Sequence, residues 1–135
     1  STDAKMKLSQ INQTDADVVI GGHSGIPFGQ LLVDESLKNK IWLNSGVIGM
    51  PANDGTADGW YLLIDSDSSG YRLTWKRLNY DAKASQKTTR IAGMLEYADA
   101  LTTGLWPNMD ILPIKEQVVR GQRLKVKSMS IASSN

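Results

Sequence analysis

The chain has 135 residues, a length typical of one domain with its own hydrophobic core and too short for two. Apolar residues make up 41% of the sequence and charged residues 21%, values that argue against a disordered chain. The formal net charge of +1 argues against a general surface for nucleic acid or anionic membrane, and the lack of cysteine excludes disulfides, thiolate zinc sites and a cysteine nucleophile.

The first elements are predicted to be a helix and a buried strand. Ser1 or Thr2 can cap a helix over about 4–11. Its expected inward positions are Met6, Leu8 and Ile11. The apolar run 18–20 (Val-Val-Ile) predicts a short strand of the kind that is buried on both faces, and it ends at two glycines.

Strands dominate the middle of the chain. Two are predicted over about 30–33 and 40–43, followed by a glycine-punctuated loop over 44–59. The clearest pattern is a hairpin between 60 and 76, with a polar turn over 65–70. In its second strand the residues expected on one face, at a period of two, are Tyr71, Leu73 and Trp75.

After Tyr80 the apolar period becomes helical. The positions at this spacing are Ile91, Met94, Leu95, Ala98 and Leu101. Gly104 is expected to end the pattern as a left-handed cap, and Gly93 inside it leaves one long helix and two shorter helices equally open. A weak helix follows at about 114–120, and the serine-rich tail 128–135 is expected to be frayed.

Strands come first and helices follow, an order typical of an α+β fold with helices packed outside a layered sheet. No linker divides the chain, so we predict a single domain over 1–127. No apolar run approaches the about 20 residues of a membrane span, and the first residues lack both a signal-peptide core and an initiator Met. We expect a soluble, cytoplasmic protein without a membrane partner, although a chain without cysteine is compatible with export as well.

Two local patterns suggest chemistry that simpler explanations account for better. The segment 21–25 (Gly-Gly-His-Ser-Gly) resembles the nucleophile elbow of serine hydrolases, but Ile26 replaces its final glycine and the only imidazole adjoins Ser24. The turn 65–70 matches the first half of a calcium loop, but Lys76 stands where a bidentate glutamate belongs. A polar hairpin turn is therefore favoured there.

The basic residues near the C-terminus favour a solvated surface over a nucleic-acid site, because no aromatic residues are interleaved with them. They are Arg120, Arg123, Lys125 and Lys127. The tryptophans fall mostly on strand patterns and are expected to be core residues. They are Trp42, Trp60, Trp75 and Trp106.

His23 is the single histidine, and taken alone it is expected to be a hydrogen-bonded structural residue. The order of the surrounding segments points elsewhere: Gly22-His23-Ser24-Gly25 after a strand, then Asn44-Ser45-Gly46, then a glycine-rich loop over 51–55. Together with 97–107, these segments resemble the carboxyl-terminal half of the calcineurin-like metallophosphoesterases. That family places a G-H-x-H motif at a strand end and an N-x-G loop beside its active site. The resemblance covers about 1–116.

The resemblance implies part of an α/β/β/α sandwich, with two sheets face to face. It also implies a hydrolase for phosphate mono- or diesters with a pair of divalent metal ions (Mn, Fe or Zn), about 4 Å apart, that clamp a bridging hydroxide and the phosphoryl oxygens. His23 matches the first motif histidine, a metal ligand, whereas the second falls on Gly25. Asn44, Ser45 and Gly46 match the loop that borders the substrate, and no catalytic residue is assigned.

The family's other metal motifs, D-x-H, G-D-x-x-D and G-N-H-[DE], are absent from these 135 residues. Because one ligand does not hold a metal pair, we expect the latter part of a longer enzyme, inactive by itself. Its partners would be the phosphate ester and the missing N-terminal half, or a second copy of itself. Two alternatives stay open: a non-catalytic β-rich interaction or regulatory module, and a degenerate phosphoesterase without metal chemistry, which Gly25 allows. Asp17 and Asp54 could orient neighbouring groups in any of these.

Overall fold

The computed structural model describes residues 3–132 and confirms a mixed α+β chain. The described strands are β1 (Val18–Gly21), β2 (Phe28–Val33), β3 (Asn39–Asn44), β4 (Gly59–Asp67), β5 (Gly70–Leu78) and β6 (Met129–Ala132). The described helices are α1 (Ala4–Ile11), α2 (Ala82–Ile91), α3 (Leu95–Thr103) and α4 (Ile114–Gln117). The four-layer α/β/β/α arrangement and the domain limit at residue 127 stay predictions.

The first sheet has the order β1-β3-β2, with β1 parallel and β2 antiparallel to the central β3. The prediction that β1 is buried on both faces is wrong, because β1 is an edge strand and Ile20 is 53% exposed. Parallel pairing has a consequence for the loops: the carboxyl ends of β1 and β3 lie at the same edge of the sheet. The loops that follow Gly21 and Asn44 are therefore neighbours.

The second sheet has the order β4-β5-β6 and contains the predicted hairpin. The turn is tighter than predicted, since the pairing continues to Asp67 and Gly70. Leu73 and Trp75 are buried as expected, whereas Tyr71 is 51% exposed near the hairpin end.

The expected frayed tail is wrong for residues 129–132. They form β6 and pair with β5, and Met129 lies opposite Leu73 in the register. Met129 and Ile131 pack against the core. The high serine content of the tail had predicted an unstructured segment instead. Residues 133–135 lie outside the described part of the chain.

Side chains from both sheets share one hydrophobic core. Its buried members are Ile41, Leu43, Ala52, Trp60, Leu73 and Trp75. Of the tryptophans expected in the core, Trp60, Trp75 and Trp106 are buried and Trp42 is half-buried.

Helix α1 has the predicted bounds but presents a different face. Asp3 is its N-cap residue, and the two predicted caps lie outside the described residues. Ile11 is fully buried, whereas Met6 is 55% exposed and Lys7 takes the inward place instead. The spacing of four between Lys7 and Ile11 puts both on one side of the helix.

The helical region after Tyr80 forms two helices rather than one. Gly93 has φ +83° between α2 and α3, and Gly104 caps α3 at φ +71° as predicted. Ala98 and Leu101 are buried. The other apolar positions at this spacing are exposed, because the break at Gly93 interrupts the continuous apolar face; they are Ile91, Met94 and Leu95.

Candidate functional site

His23 lies in the loop between β1 and β2, just beyond the carboxyl end of β1. The residue is exposed, and its imidazole makes no hydrogen bond or ion pair with any other residue of 3–132. The interpretation of His23 as a hydrogen-bonded structural residue is therefore not supported within this range.

Asn44 fixes the shape of the loop that carries His23. Its amide nitrogen donates to the carbonyl oxygens of Ser24 at 2.6 Å and Ile26 at 2.7 Å, and its side chain is buried. The Asn44 carbonyl oxygen accepts from the Trp75 indole N–H at 2.8 Å. The last residue of β3 thus ties the His23 loop to the core.

Ser45 and Gly46 continue this support. The Ser45 N–H donates to the Gly21 carbonyl at 3.0 Å, which extends the pairing of β3 with β1. Gly46 has φ +83°, and a Cβ there would lie 2.7 Å from Cβ of Trp60. Asn44 lines a cavity together with His23, whereas the contacts of Ser45 and Gly46 are with Gly21, Pro27 and Trp60. A role toward substrate stays a prediction for them.

Gly25 packs directly against Trp106. A Cβ built on Gly25 would lie 2.6 Å from Cζ2 of the indole, closer than real side chains approach. The indole is held in place by its N–H, which donates to the Pro51 carbonyl at 2.7 Å, and by the Trp106 backbone N–H, which donates to Asn53 at 2.8 Å. The ring therefore occupies the space that a side chain at position 25 would need.

A wide cleft of about 790 Å³, called the Trp106 cleft below, begins at His23 and Ser24. Its apolar walls are Val47, Met50, Trp106, Pro107, Ile111, Leu112 and Pro113. Asn108 and Glu116 add polar groups. Such a cleft fits an apolar group larger than a single side chain.

A smaller cavity of about 250 Å³, called the Lys7 pocket below, lies on the other side of the same loop. Its lining is Lys7, Gly21, Gly22, His23, Ser24, Phe28, Trp42 and Asn44. Sequence reasoning missed Lys7. Its helical spacing from Ile11 was the available signal.

A partly buried ionic network around Arg77 holds the loop between β3 and β4. The guanidinium donates to Asp54 at 2.6 Å and Asp58 at 3.1 Å, and it stacks 4.4 Å from the centroid of the Trp60 ring. It also donates to the Leu124 carbonyl at 2.7 Å. The alternation of β5 signals this position, since Arg77 continues the inward series of Leu73 and Trp75.

Asp54 is the central carboxylate of this network and is 3% exposed. Burial alone would raise its pKa, but hydrogen bonds from Thr56, Arg77 and the Leu124 N–H outweigh that effect and hold the pKa of the carboxyl below its usual range. Asp54 thus orients its neighbours as expected. Asp17 is exposed and pairs only with Lys40 at 2.9 Å among the described residues.

Within residues 3–132, no three His, Asp or Glu side chains are grouped so that they could hold a metal ion. These residues alone therefore do not fit a metal pair. At the other suggested site, Asp67 accepts from the Ser69 N–H at 2.7 Å, the contact of a polar hairpin turn rather than a calcium loop.

Comparison with known proteins identifies a structural neighbour. The chain is similar in structure to a metallophosphoesterase from Sphaerobacter thermophilus, with a TM-score of 0.61 and 20% sequence identity over 78% of this chain and 49% of that chain. The match spans about half the length of that neighbour. It supports a metallophosphoesterase-like fold. No protein-family profile and no curated protein matches the sequence, and no helix within residues 3–132 is long and apolar enough to cross a membrane.

Proposed function

We propose that the chain is the C-terminal part of a metal-dependent phosphoesterase that hydrolyses phosphate mono- or diesters. The observation that carries this proposal is the unpartnered imidazole of His23 at a strand end, in a chain whose fold is similar to half of a metallophosphoesterase. The ligand role of His23 follows from its match to the family motif. The loop anchored by Asn44 would hold that imidazole in place.

A divalent metal pair (Mn, Fe or Zn) would supply an activated hydroxide and stabilise charge on the phosphoryl oxygens. This chain contributes one ligand, so the remaining ligands must come from other polypeptide. We expect residues 1–135 alone to be inactive in hydrolysis.

The partner proposed here is the missing N-terminal half, with self-association as the alternative. The free edge of β1 and exposed apolar side chains beside it support this, among them Ile20 at 53% and Ile64 at 46% exposure. Light scattering of residues 1–135 at micromolar concentration is the first test. A strictly monomeric species with no co-purifying polypeptide would contradict the partner proposal.

The decisive experiment starts from the gene. Sequence upstream of Ser1 should encode the aspartate- and histidine-bearing motifs, and the longer protein should hydrolyse a chromogenic phosphodiester with Mn²⁺. His23→Ala in that protein should lower both the bound metal and the rate, whereas Gln10→Ala, an exposed change on α1, should leave both unchanged. Unaltered metal content in His23→Ala would remove His23 from the ligand set.

A second candidate, a degenerate phosphoesterase, is favoured by one observation. The Trp106 ring fills the space beside Gly25, where the family motif has its second histidine. Metal analysis of the longer protein separates the candidates. A full pair per chain supports the enzyme, and no bound metal supports the degenerate form.

A further inference from the structure

Lys7 is a buried basic residue that forms no ion pair with a carboxylate of residues 3–132. Its side chain is 2% exposed, and Nζ donates to Oε1 of Gln30 at 2.7 Å and lies 4.5 Å from the centroid of the Phe28 ring. No carboxylate within residues 3–132 pairs with it. Burial lowers the pKa of Lys7, nearby Lys115 adds to this and Glu116 opposes it. An ammonium in such a place is costly unless an anion compensates it.

The Lys7 pocket offers further hydrogen-bond donors to an anion. Besides Lys7, its lining residues include His23 and Ser24, whose side chains form no hydrogen bond with another residue of 3–132. Gly21 and Gly22 carry no side chains that would keep a ligand away from the backbone. No Asp or Glu lines the pocket. Its volume of about 250 Å³ accommodates a tetrahedral oxyanion with water.

The two cavities share one wall. His23 and Ser24 line both the Lys7 pocket and the Trp106 cleft. The cleft is lined mainly by apolar side chains, which disfavour a bare anion on that side. A ligand that occupies both cavities would therefore place its charged group near Lys7 and its apolar part near Trp106.

We propose that the Lys7 pocket binds the phosphoryl group of a phosphate ester whose apolar or aromatic alcohol portion lies in the Trp106 cleft. Naming the anion as a phosphoryl group rests on the proposed function. The anion site itself needs only residues of this chain and no metal.

The test uses residues 1–135 without metal, at constant ionic strength. Inorganic phosphate, phenyl phosphate and phenol are titrated while backbone amide signals are followed by NMR. Phosphate and phenyl phosphate should give saturable shifts at Gly21, Gly22 and Ser24. Phenyl phosphate should also shift the Trp106 indole and bind about tenfold more tightly, since it buries a ring as well. Equal affinity for the two anions would overturn the assignment of the Trp106 cleft.

Variants locate the charge that binds. Lys7→Met keeps a long apolar side chain and should weaken phosphate binding by roughly 10- to 100-fold, the loss expected for a charged hydrogen bond. Lys5→Met, an exposed change on the same helix, should bind as the parent does. Unchanged binding by Lys7→Met would overturn the proposal.

A second measurement does not depend on the folding of a variant. Phosphate should raise the thermal midpoint of the parent chain above that in chloride of equal ionic strength. No rise, together with no saturable NMR shift, would also overturn the proposal. Both measurements are made without metal. A lack of phosphate binding would therefore overturn the anion site only, and a lack of bound metal in the longer protein would overturn the proposed function only.

Discussion

Two regions of the molecule hold titratable side chains in contrasting ways. Around Arg77, a buried Asp54 and the partly buried Arg77 and Asp58 are satisfied by one another and by backbone groups. Around the His23 loop, the exposed imidazole has no partner within 3–132, and the buried Lys7 ammonium contacts Gln30 and Phe28 but forms no ion pair with a carboxylate of these residues. Charges that pair within the chain stabilise the native state, whereas groups without an ion-pair partner are available to a ligand. The contrast predicts that substitutions in the first region reduce stability and those in the second reduce binding.

The largest expected effect is that of Asp54→Asn. It removes the charge opposite Arg77 and should lower the free energy of unfolding by about 3 kcal/mol, the lower end for a broken buried pair, because Asp58 still contacts Arg77. Urea denaturation measures the change. Asp99→Asn is the matched control, since its ion pair with Arg90 is about half exposed and should matter by less than about 0.5 kcal/mol. Equal losses in the two variants would remove the distinction between the regions.

The pH dependence of stability tests the same contribution of Asp54. Because the folded-state pKa of Asp54 lies below its unfolded value of about 4, its ionisation stabilises the fold above that pH, and this is lost as pH falls through the folded pKa. Stability of the parent should therefore fall below about pH 4 more steeply than that of Asp54→Asn. Asp17 and Asp67 also have lowered pKa values, but both proteins share them. Parallel pH curves would contradict the prediction.

Gly25→Ala should have an intermediate effect. The added methyl lies against the Trp106 ring, so the ring or the loop must shift, at about 1–3 kcal/mol. Gly22→Ala is the control, because its nearest neighbour, Oγ of Ser45, would be an ordinary 3.6 Å away. Thermal unfolding compares the two. Similar midpoints would show that Trp106 yields easily and that position 25 tolerates a side chain.

The smallest expected effect on stability is that of His23→Ala, within about 0.5 kcal/mol, because the imidazole is exposed and unpartnered within the described range. Asn44→Ala, one strand away, should cost about 1–3 kcal/mol, since it leaves the Ser24 and Ile26 carbonyls without their donor. Chemical denaturation of both variants measures the difference. A large loss in His23→Ala would assign it a structural role.

Local sequence patterns correctly predicted the elements whose boundaries depend on neighbouring residues. The bounds of α1 and the alternation of the hairpin follow from periods of 3.6 and 2, and the glycine at position 104 gave the end of α3. The placement of His23 and Asn44 at one sheet edge followed from the resemblance, and the parallel pairing of β1 with β3 explains it.

Contacts between segments that are far apart in the chain could not be predicted from the sequence. Nothing near Gly25 indicates that a tryptophan about 80 residues later fills its side-chain space. Likewise, the buried place of Lys7 depends on Gln30 and Phe28, and polarity alone predicts an exposed lysine. The edge position of β1 also depends on distant segments, because only β3 pairs with β1 among the described strands.

The pairing of β6 with β5 bears on how the protein is made. In the chain, β6 follows the β4–β5 hairpin only after α2, α3 and α4, so during synthesis the hairpin leaves the ribosome before its partner strand does. Until β6 emerges, the side of β5 that pairs with β6 has no partner strand. A truncation that removes Met129–Ala132 would remove β6 and leave that side of β5 without its partner strand.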